Sequence, residues 1–415
     1  MEEDDPQSDS EAPGTMCCGA CAADDTKKEL GCVAGPLLLS VLIVVCGTAS
    51  TITSKLQYEV RSRGFEKCSY DDRTTHRCPF TKPWFQTLVM KVAMSSCLLI
   101  AWAAKKCRRR RPTGELAETL LGAEEPRRTP DRSAILAVAA PAFTDLLQTA
   151  LAQAGLLFVS SSTYQMTRGS VVVFTCFLSV RLLKKKMRPH HYVAVAFVCA
   201  AVALVGVAGR LGESGHTTSL ASYILGLGLI VVGQAVGALQ FCLEEHLMAN
   251  RGLSPIVLVG WEGLWGVLFF IALAPVLSLT PDSDVALGAL WHENFAETLD
   301  QLSNSGDLIV LTSASALALL LYNLVGNMVT KQLSAVMRSI LESCRTLGVW
   351  VASLALYYGF HDSKAGERWT NWSFLELLGF ALLVYGTLAY KELVPVPCMK
   401  PEALLPIDRQ QSNTI

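Results

Sequence analysis

The chain has 415 residues, of which 51% are hydrophobic and only 17% charged, with a mean hydropathy of +0.36 and a formal net charge of −1. Soluble proteins carry about 25% charged residues, so this composition excludes an ordinary soluble domain. It points to a membrane protein that crosses the bilayer many times.

Residues 1–31 are acidic and polar, without the apolar centre of a signal peptide. Residues 1–33 are therefore expected to form a disordered cytosolic tail. Cys17, Cys18 and Cys21 in "MCCGAC" read first as unmodified thiols, with acylation second and zinc third. Apolar runs then recur at 35–56, 83–104, 133–155, 161–183, 191–209, 222–247, 255–279, 307–329, 332–358 and 374–393. A spanning helix needs about 20 residues, so the pattern predicts an all-α polytopic fold of ten transmembrane helices. They divide into a five-helix unit at 34–209 and a second at 222–393, followed by a cytosolic tail at 394–415.

An even number of spans puts both termini on one face. The runs "KKCRRRR" (105–111) and "KKKMR" (184–188) fall on that same face, which the positive-inside rule makes cytosolic. Such runs attract anionic headgroups, so membrane lipids are expected partners and nucleic acid is not. On the opposite face the 57–82 loop holds Cys68 and Cys78, the only two of the 14 cysteines in a loop on that side. A disulfide between them is expected in an oxidising compartment. The acidic 280–305 loop reads either as a short amphipathic surface helix or as solvated chain.

Several ionisable residues interrupt the apolar runs: Lys91 in span two, Asp145 in span three, Arg168 in span four and Glu262 in span seven. Span nine opens "SAVMRSILESCR", where Ser334, Arg338, Glu342 and Arg345 are spaced four, four and three residues apart. That spacing sets them on one helical stripe. Each charge facing lipid would cost at least about 2.5–3.5 kcal/mol, so the stripe must face a polar interior. Glu244 and Glu245 in "LEEHL" close span six near the cytosolic face, where solvation of the helix end is the simplest reading. An ionisable group at membrane depth is by default a functional-site hypothesis; the alternative is a buried ion pair that fixes helix register. Arg168 with Glu342 is a candidate gate, and Asp145, Glu262 and Glu342 are candidate proton carriers. Gly233 and Gly237 mark close helix packing.

Spans four and nine share a design, a polar first half followed by an apolar second half. Span four reads "SSSTYQMTRGSVVVFTCFLSV", with Tyr164 and Gln165 in its polar half. Counted from Ser160 and Ser334, the eighth residue on is Arg168 in one and Glu342 in the other. Because each half holds five spans, the second repeat is inverted, a recurring transporter plan with a site near the midplane. No H-E-x-x-H, G-x-S-x-G or G-x-x-x-x-G-K-[ST] pattern occurs, and no His pair has metal spacing. No enzyme, metal or cofactor is expected.

The blocks "SSSTYQMTRGSVVVFTCFLSV" (160–180), "LEEHL" (243–247), "VGWEGLWG" (259–266) and "VTKQLSAVMRSILESCRTLGVW" (329–350) resemble the drug/metabolite transporter superfamily. More narrowly they resemble subfamily F of the nucleotide-sugar-transporter-like solute carriers, to which the chloroquine-resistance transporters are related. The resemblance covers roughly 34–393 and implies two inverted five-helix repeats, alternating access around a central cavity, and an endomembrane location, lysosomal or vacuolar before Golgi. It supports Asp145, Arg168, Glu244, Glu245, Glu262, Arg338, Glu342 and Arg345 as family-type positions. The "GALN" motif of nucleotide-sugar carriers is replaced by "RSILESCR", which argues against a nucleotide sugar. The expected function is secondary transport of a small organic solute, an amino acid, peptide or organic anion, with protons as candidate coupling ions. A Golgi nucleotide-sugar antiporter and a membrane interaction or sensor protein are the alternatives.

Overall fold

The computed structural model describes residues 19–65, 77–108, 131–156, 158, 164, 167–185, 188–212, 220–279, 292–359, 369–390 and 394. In chain order the elements are α1 (Gly19–Glu59), the strands β1 (Arg61–Arg63) and β2 (Arg77–Pro79), α2 (Pro83–Arg108), α3 (Arg132–Ala137) and α4 (Ala139–Leu156). A 3-10 turn at Arg168–Ser170 leads into α5 (Val171–Leu182), followed by α6 (Pro189–Gly212), α7 (Leu220–Asn250) and α8 (Pro255–Leu279). The chain closes with α9 (Phe295–Ser303), α10 (Gly306–Gln332), α11 (Ala335–Gly359) and α12 (Ser373–Tyr390).

Among the described residues, eight helical segments are long and apolar enough to cross a membrane. Of the ten expected spans, the fourth is represented by α5, which at 12 residues is too short on its own, and the fifth by α6, whose apolar stretch is Pro189–Ala201. Of the polar opening of span four, Tyr164 and Thr167 to Ser170 are described, while residues 161–163, Gln165 and Met166 lie outside the described residues. Helix α1 begins at Gly19, inside the stretch expected to be disordered. Alanine, lysine and glutamate between residues 20 and 30 have high helix propensity, and the apolar helix that follows supplies the costly nucleus.

Large apolar side chains such as Leu99, Trp102, Val310 and Phe374 stay 63–70% exposed on the outside of the bundle, the surface a spanning helix turns to lipid. The helices meet in pairs: α4 with α7, α1 with α10, α6 with α12, α2 with α8, α1 with α11, and α5 with α7. Glycines set the closest approaches. Gly233 and Gly237 face Gln148 on α4, the packing role expected of them. Along α8, Gly263 and Gly266 lie against α2: a Cβ at Gly263 would sit 2.8 Å from the Lys91 carbonyl oxygen, and one at Gly266 would meet the Lys91 stem at 2.6 Å. The Gly263 contact is with backbone, which cannot rotate away. Gly263→Ala is therefore expected to destabilise the protein by about 1–3 kcal/mol, read as a lower midpoint of thermal unfolding in detergent.

Beyond α1 the hairpin pairs Ser62 with Cys78. Cys78 is buried and is not one of the free thiols, while Cys68, its expected partner, lies outside the described residues. The 280–305 loop contains α9, started by Asn294, whose Oδ1 accepts from the amides of Ala296 and Glu297. One face of this helix packs on protein: Glu297 and Gln301 are buried, the Ser62 hydroxyl donates to the Gln301 carbonyl, and the Phe65 amide donates to Glu297. At the end of the bundle nearer the N-terminal half of α1, an apolar cluster joins Leu39, Ile43, Val172, Phe241, Val329, Val336 and Ile340.

Candidate functional site

A cavity of about 380 Å³ lies inside the bundle. At the hairpin end its walls are Ser54, Lys55 and Tyr58 of α1 with Pro83, Gln86 and Thr87 of α2. Here the Tyr58 hydroxyl donates to Gln86 Oε1 at 2.8 Å, and Gln86 Nε2 donates to the hydroxyls of Ser54 and Ser315. Deeper, α4 contributes Asp145, Gln148 and Thr149, α7 contributes Gln240 and Phe241, and α11 contributes Arg338, Glu342 and Arg345. Beyond Arg338 and Phe241 the apolar cluster closes the bundle.

A continuous ionic chain crosses the deep wall. Lys91, fully buried, pairs with Asp145 and lies 4.0 Å from Glu262 Oε1. Gln240 Nε2 bridges two carboxylates, donating to Glu262 Oε1 at 3.0 Å and to Glu244 Oε1 at 2.8 Å. Glu244 in turn pairs with Arg338, whose Nε is 3.5 Å from Glu342. Five helices thus meet through one polar seam. Single buried charges at this depth would be prohibitive, so their mutual pairing is the condition for burying them.

The guanidinium groups also rest on rings. Arg338 lies 4.2 Å from the Phe241 centroid, Arg345 5.1 Å from that of Tyr322, and Arg168 5.8 Å from that of Tyr164. Gly47 on α1 makes room for the Arg345 stem. Among the described residues of the predicted stripe, Ser334, Arg338 and Arg345 are buried and Glu342 is nearly so, all turned into the bundle.

The structure brings Lys91, Asp145, Glu244, Glu262, Arg338 and Glu342 together, and puts Tyr164, Arg168 and Arg345 on the same cavity. Three details depart from the sequence reading. Glu244 is not solvated near a helix end; it is wholly buried against Arg338, because the C-terminal part of α7 runs beneath the N-terminal part of α11. Glu342 takes Arg338, one turn back on its own helix, as its ion-pair partner, where Arg168 had been the expected one. Glu245, adjacent to Glu244, leaves the cavity altogether. It pairs with Lys185 and accepts the backbone amide of Ala335 at 2.8 Å, capping the first turn of α11.

Removing that carboxylate, as Glu245→Ala, is expected to cost about 1 kcal/mol, measurable as a small fall in thermal midpoint with Glu245→Gln between the two. Gln86, Gln148 and Gln240, with Tyr58 and Tyr322, escaped the sequence reading. Their signal was available: amides and phenols inside otherwise apolar runs, where each needs a partner.

The comparisons with known proteins agree with this architecture. The family described as purine nucleobase transmembrane transport matches residues 36–253. An uncharacterised protein of Schizosaccharomyces pombe is 30% identical over 261 residues, 63% of this chain and 75% of its own. Solute carrier family 35 member F6 of Homo sapiens is 28% identical over 358 residues, 86% of this chain and 89% of its own, and the Rattus norvegicus protein of that name is 27% identical over the same length. These relatives bear out the resemblance to subfamily F. A solved crystal structure with 11% identity superposes at a TM-score of 0.52, covering 87% of this chain and 97% of its own, and shares the fold. Matched over more than half its length by one family of membrane carriers, the chain belongs to the purine nucleobase transmembrane transport family, and is a solute carrier rather than an enzyme.

Proposed function

We propose that the protein is a secondary transporter that moves a small organic solute across an endomembrane by alternating access. The observation that carries this reading is the central cavity with its paired charges. An interior of this size is ordinary for a small-molecule site, and the cost of burying eight ionisable groups needs a reason beyond fold stability. Lys55, Arg168, Arg338 and Arg345 line the cavity against Asp145 and Glu342, while Lys91, Glu244 and Glu262 lie in the ionic chain behind that wall. A lining with more cations than carboxylates suits a solute that carries a carboxylate, an amino acid, a short peptide or an organic anion. A second reading is a nucleobase. The amides of Gln86 and Gln148 and the rings of Tyr58, Tyr164 and Tyr322 on one cavity suit a flat heteroaromatic solute, and the matched family is described as transporting purine nucleobases.

The helix pairings support an inverted repeat. If the first five expected spans correspond in order to the second five, exchanging them turns the α4/α7 pair into α10/α1 and the α5/α7 pair into α11/α1, both of which occur. The same exchange leaves α2/α8 and α6/α12 unchanged. Two bundles related in this way rock against each other. Walls reaching the hairpin end, and an apolar cluster at the other, describe a carrier facing the hairpin side. Termini in the cytosol, a lysosomal or vacuolar membrane, and a Cys68–Cys78 disulfide on the far side complete the proposal.

Purified protein in proteoliposomes, offered labelled amino acids, peptides, nucleobases and nucleotide sugars, tests it. Saturable uptake of one class, reduced at least about tenfold by Arg168→Gln and by Glu342→Gln, is the expected result. Uptake of the true solute unchanged in both variants would sink the assignment of the cavity.

A further inference from the structure

Within the ionic chain one oxygen is left over. Glu262 is 1% exposed; its Oε1 accepts from Gln240 and is 4.0 Å from Lys91, while its Oε2 has no hydrogen-bond partner among the described residues. The groups facing it from each helix packed on α8 are Lys91 of α2, Asp145 of α4 and Glu244 of α7, with Arg338 of α11 beyond Glu244. Helix α10 has no charged side chain between Asp307 and Lys331, and the side chains it brings to the cavity are Leu319, Tyr322 and Asn323, of which the Tyr322 phenol alone is titratable. Four linked carboxylates therefore share two cations. Arg338 serves Glu244 and Glu342, and Lys91 is committed to Asp145.

A bare carboxylate oxygen sealed in this position is strongly unfavourable unless something neutralises it. A metal ion does not fit the donor set. Hard cations take six or more oxygens, whereas one oxygen of Glu262 already meets an amide donor and an ammonium. The backbone contacts at Gly263 leave no room at the α2–α8 seam, and no metal-holding cluster occurs among the described residues. A proton needs no further ligand. We infer that Glu262 Oε2 is a proton-binding site sealed inside the bundle, whose occupancy decides which carboxylate Lys91 serves. With the O–H bond formed, Glu262 is neutral and Lys91 stays on Asp145, the arrangement seen. When that bond breaks and the proton returns to cavity water, Glu262 competes for Lys91. Asp145, which lines the cavity and is 18% exposed, then becomes available to a solute. Only the last consequence rests on the transporter reading.

Infrared difference spectroscopy on the full-length protein in lipid nanodiscs reads the site without any solute. Wild type at neutral pH is expected to show the C=O stretch of a protonated, deuterium-sensitive carboxylic acid, absent from Glu262→Gln and retained in Asp145→Asn and Glu244→Gln. Glutamine matches the protonated acid in shape, so that variant should fold; if it does not, loss of the band from either of the other two variants alone would reassign the proton and overturn the inference. No acid band in wild type, or a band that persists in Glu262→Gln, overturns it too. In proteoliposomes, the ratio of uptake with and without an imposed pH gradient should fall to one in Glu262→Gln, and an unchanged ratio removes the link to Asp145. An acid band in a protein that moves no solute from the panel keeps the proton site while discarding the transporter.

Discussion

Arg338→Ala is expected to destabilise the protein by about 3–5 kcal/mol and to abolish solute uptake. Arg338 is 2% exposed, and its guanidinium is the cation that Glu244 and Glu342 share. Truncation leaves Glu244, with no exposed surface, holding a charge against only the Gln240 amide, and it strips the Phe241 ring of its cationic neighbour. Most of the loss is the cost of the orphaned carboxylate rather than the worth of the pair. Arg338→Ala combined with Glu244→Ala should therefore recover a large part of the thermal stability without restoring transport. Thermal unfolding in detergent, alongside uptake, separates the two effects. A double variant no more stable than the single one would mean that Arg338 acts chiefly through packing.

Lys91→Leu is the second large effect, again about 3–5 kcal/mol. The ammonium is the only cation that reaches Asp145 and Glu262 among the described residues, so its removal leaves the Asp145 carboxylate without a counter-ion beside a second acidic side chain. The aliphatic stem matters as well. It lies over Gly266, where even a Cβ would collide with it, so the passage is shaped to a lysine. Lys91→Arg, although it keeps the charge, is expected to lose stability by about 1–3 kcal/mol because a broader guanidinium must enter the same seam. Lys91→Leu with Asp145→Leu should regain stability relative to Lys91→Leu, since an apolar pair of similar volume replaces a broken ionic one. A measured order of wild type, then the double variant, then Lys91→Leu would bear this out; a double variant below the single one would contradict it.

Both effects arise from partnerships that the chain does not announce locally. Hydropathy alone established a polytopic helical protein, since a stretch of apolar residues has one stable environment wherever its neighbours lie. The inward face of span nine was equally legible: helical periodicity aligns Ser334, Arg338, Glu342 and Arg345, and lipid excludes charge, so the stripe could point only inward. The glycines of α7 declared close packing by their spacing. None of these inferences needs to know which helix stands next to which.

Pairing does need that knowledge. Depth misled the reading of Glu244, because distance from the end of an apolar run predicts solvation only when no other helix covers that end. Here α11 crosses above it and supplies Arg338 from 94 residues away in sequence. Two adjacent glutamates consequently part company, Glu244 into the ionic chain and Glu245 onto the first amide of α11. Lys91 and Asp145, read separately from spans two and three, become one ion pair only once α8 lies against both α2 and α4. Sequence determined which residues must leave the lipid, through the transfer cost of each charge taken singly. Tertiary structure decided which of them meet, because a buried charge is stabilised by the particular opposite charge within a few ångströms, and that distance is set by helix packing across the whole chain.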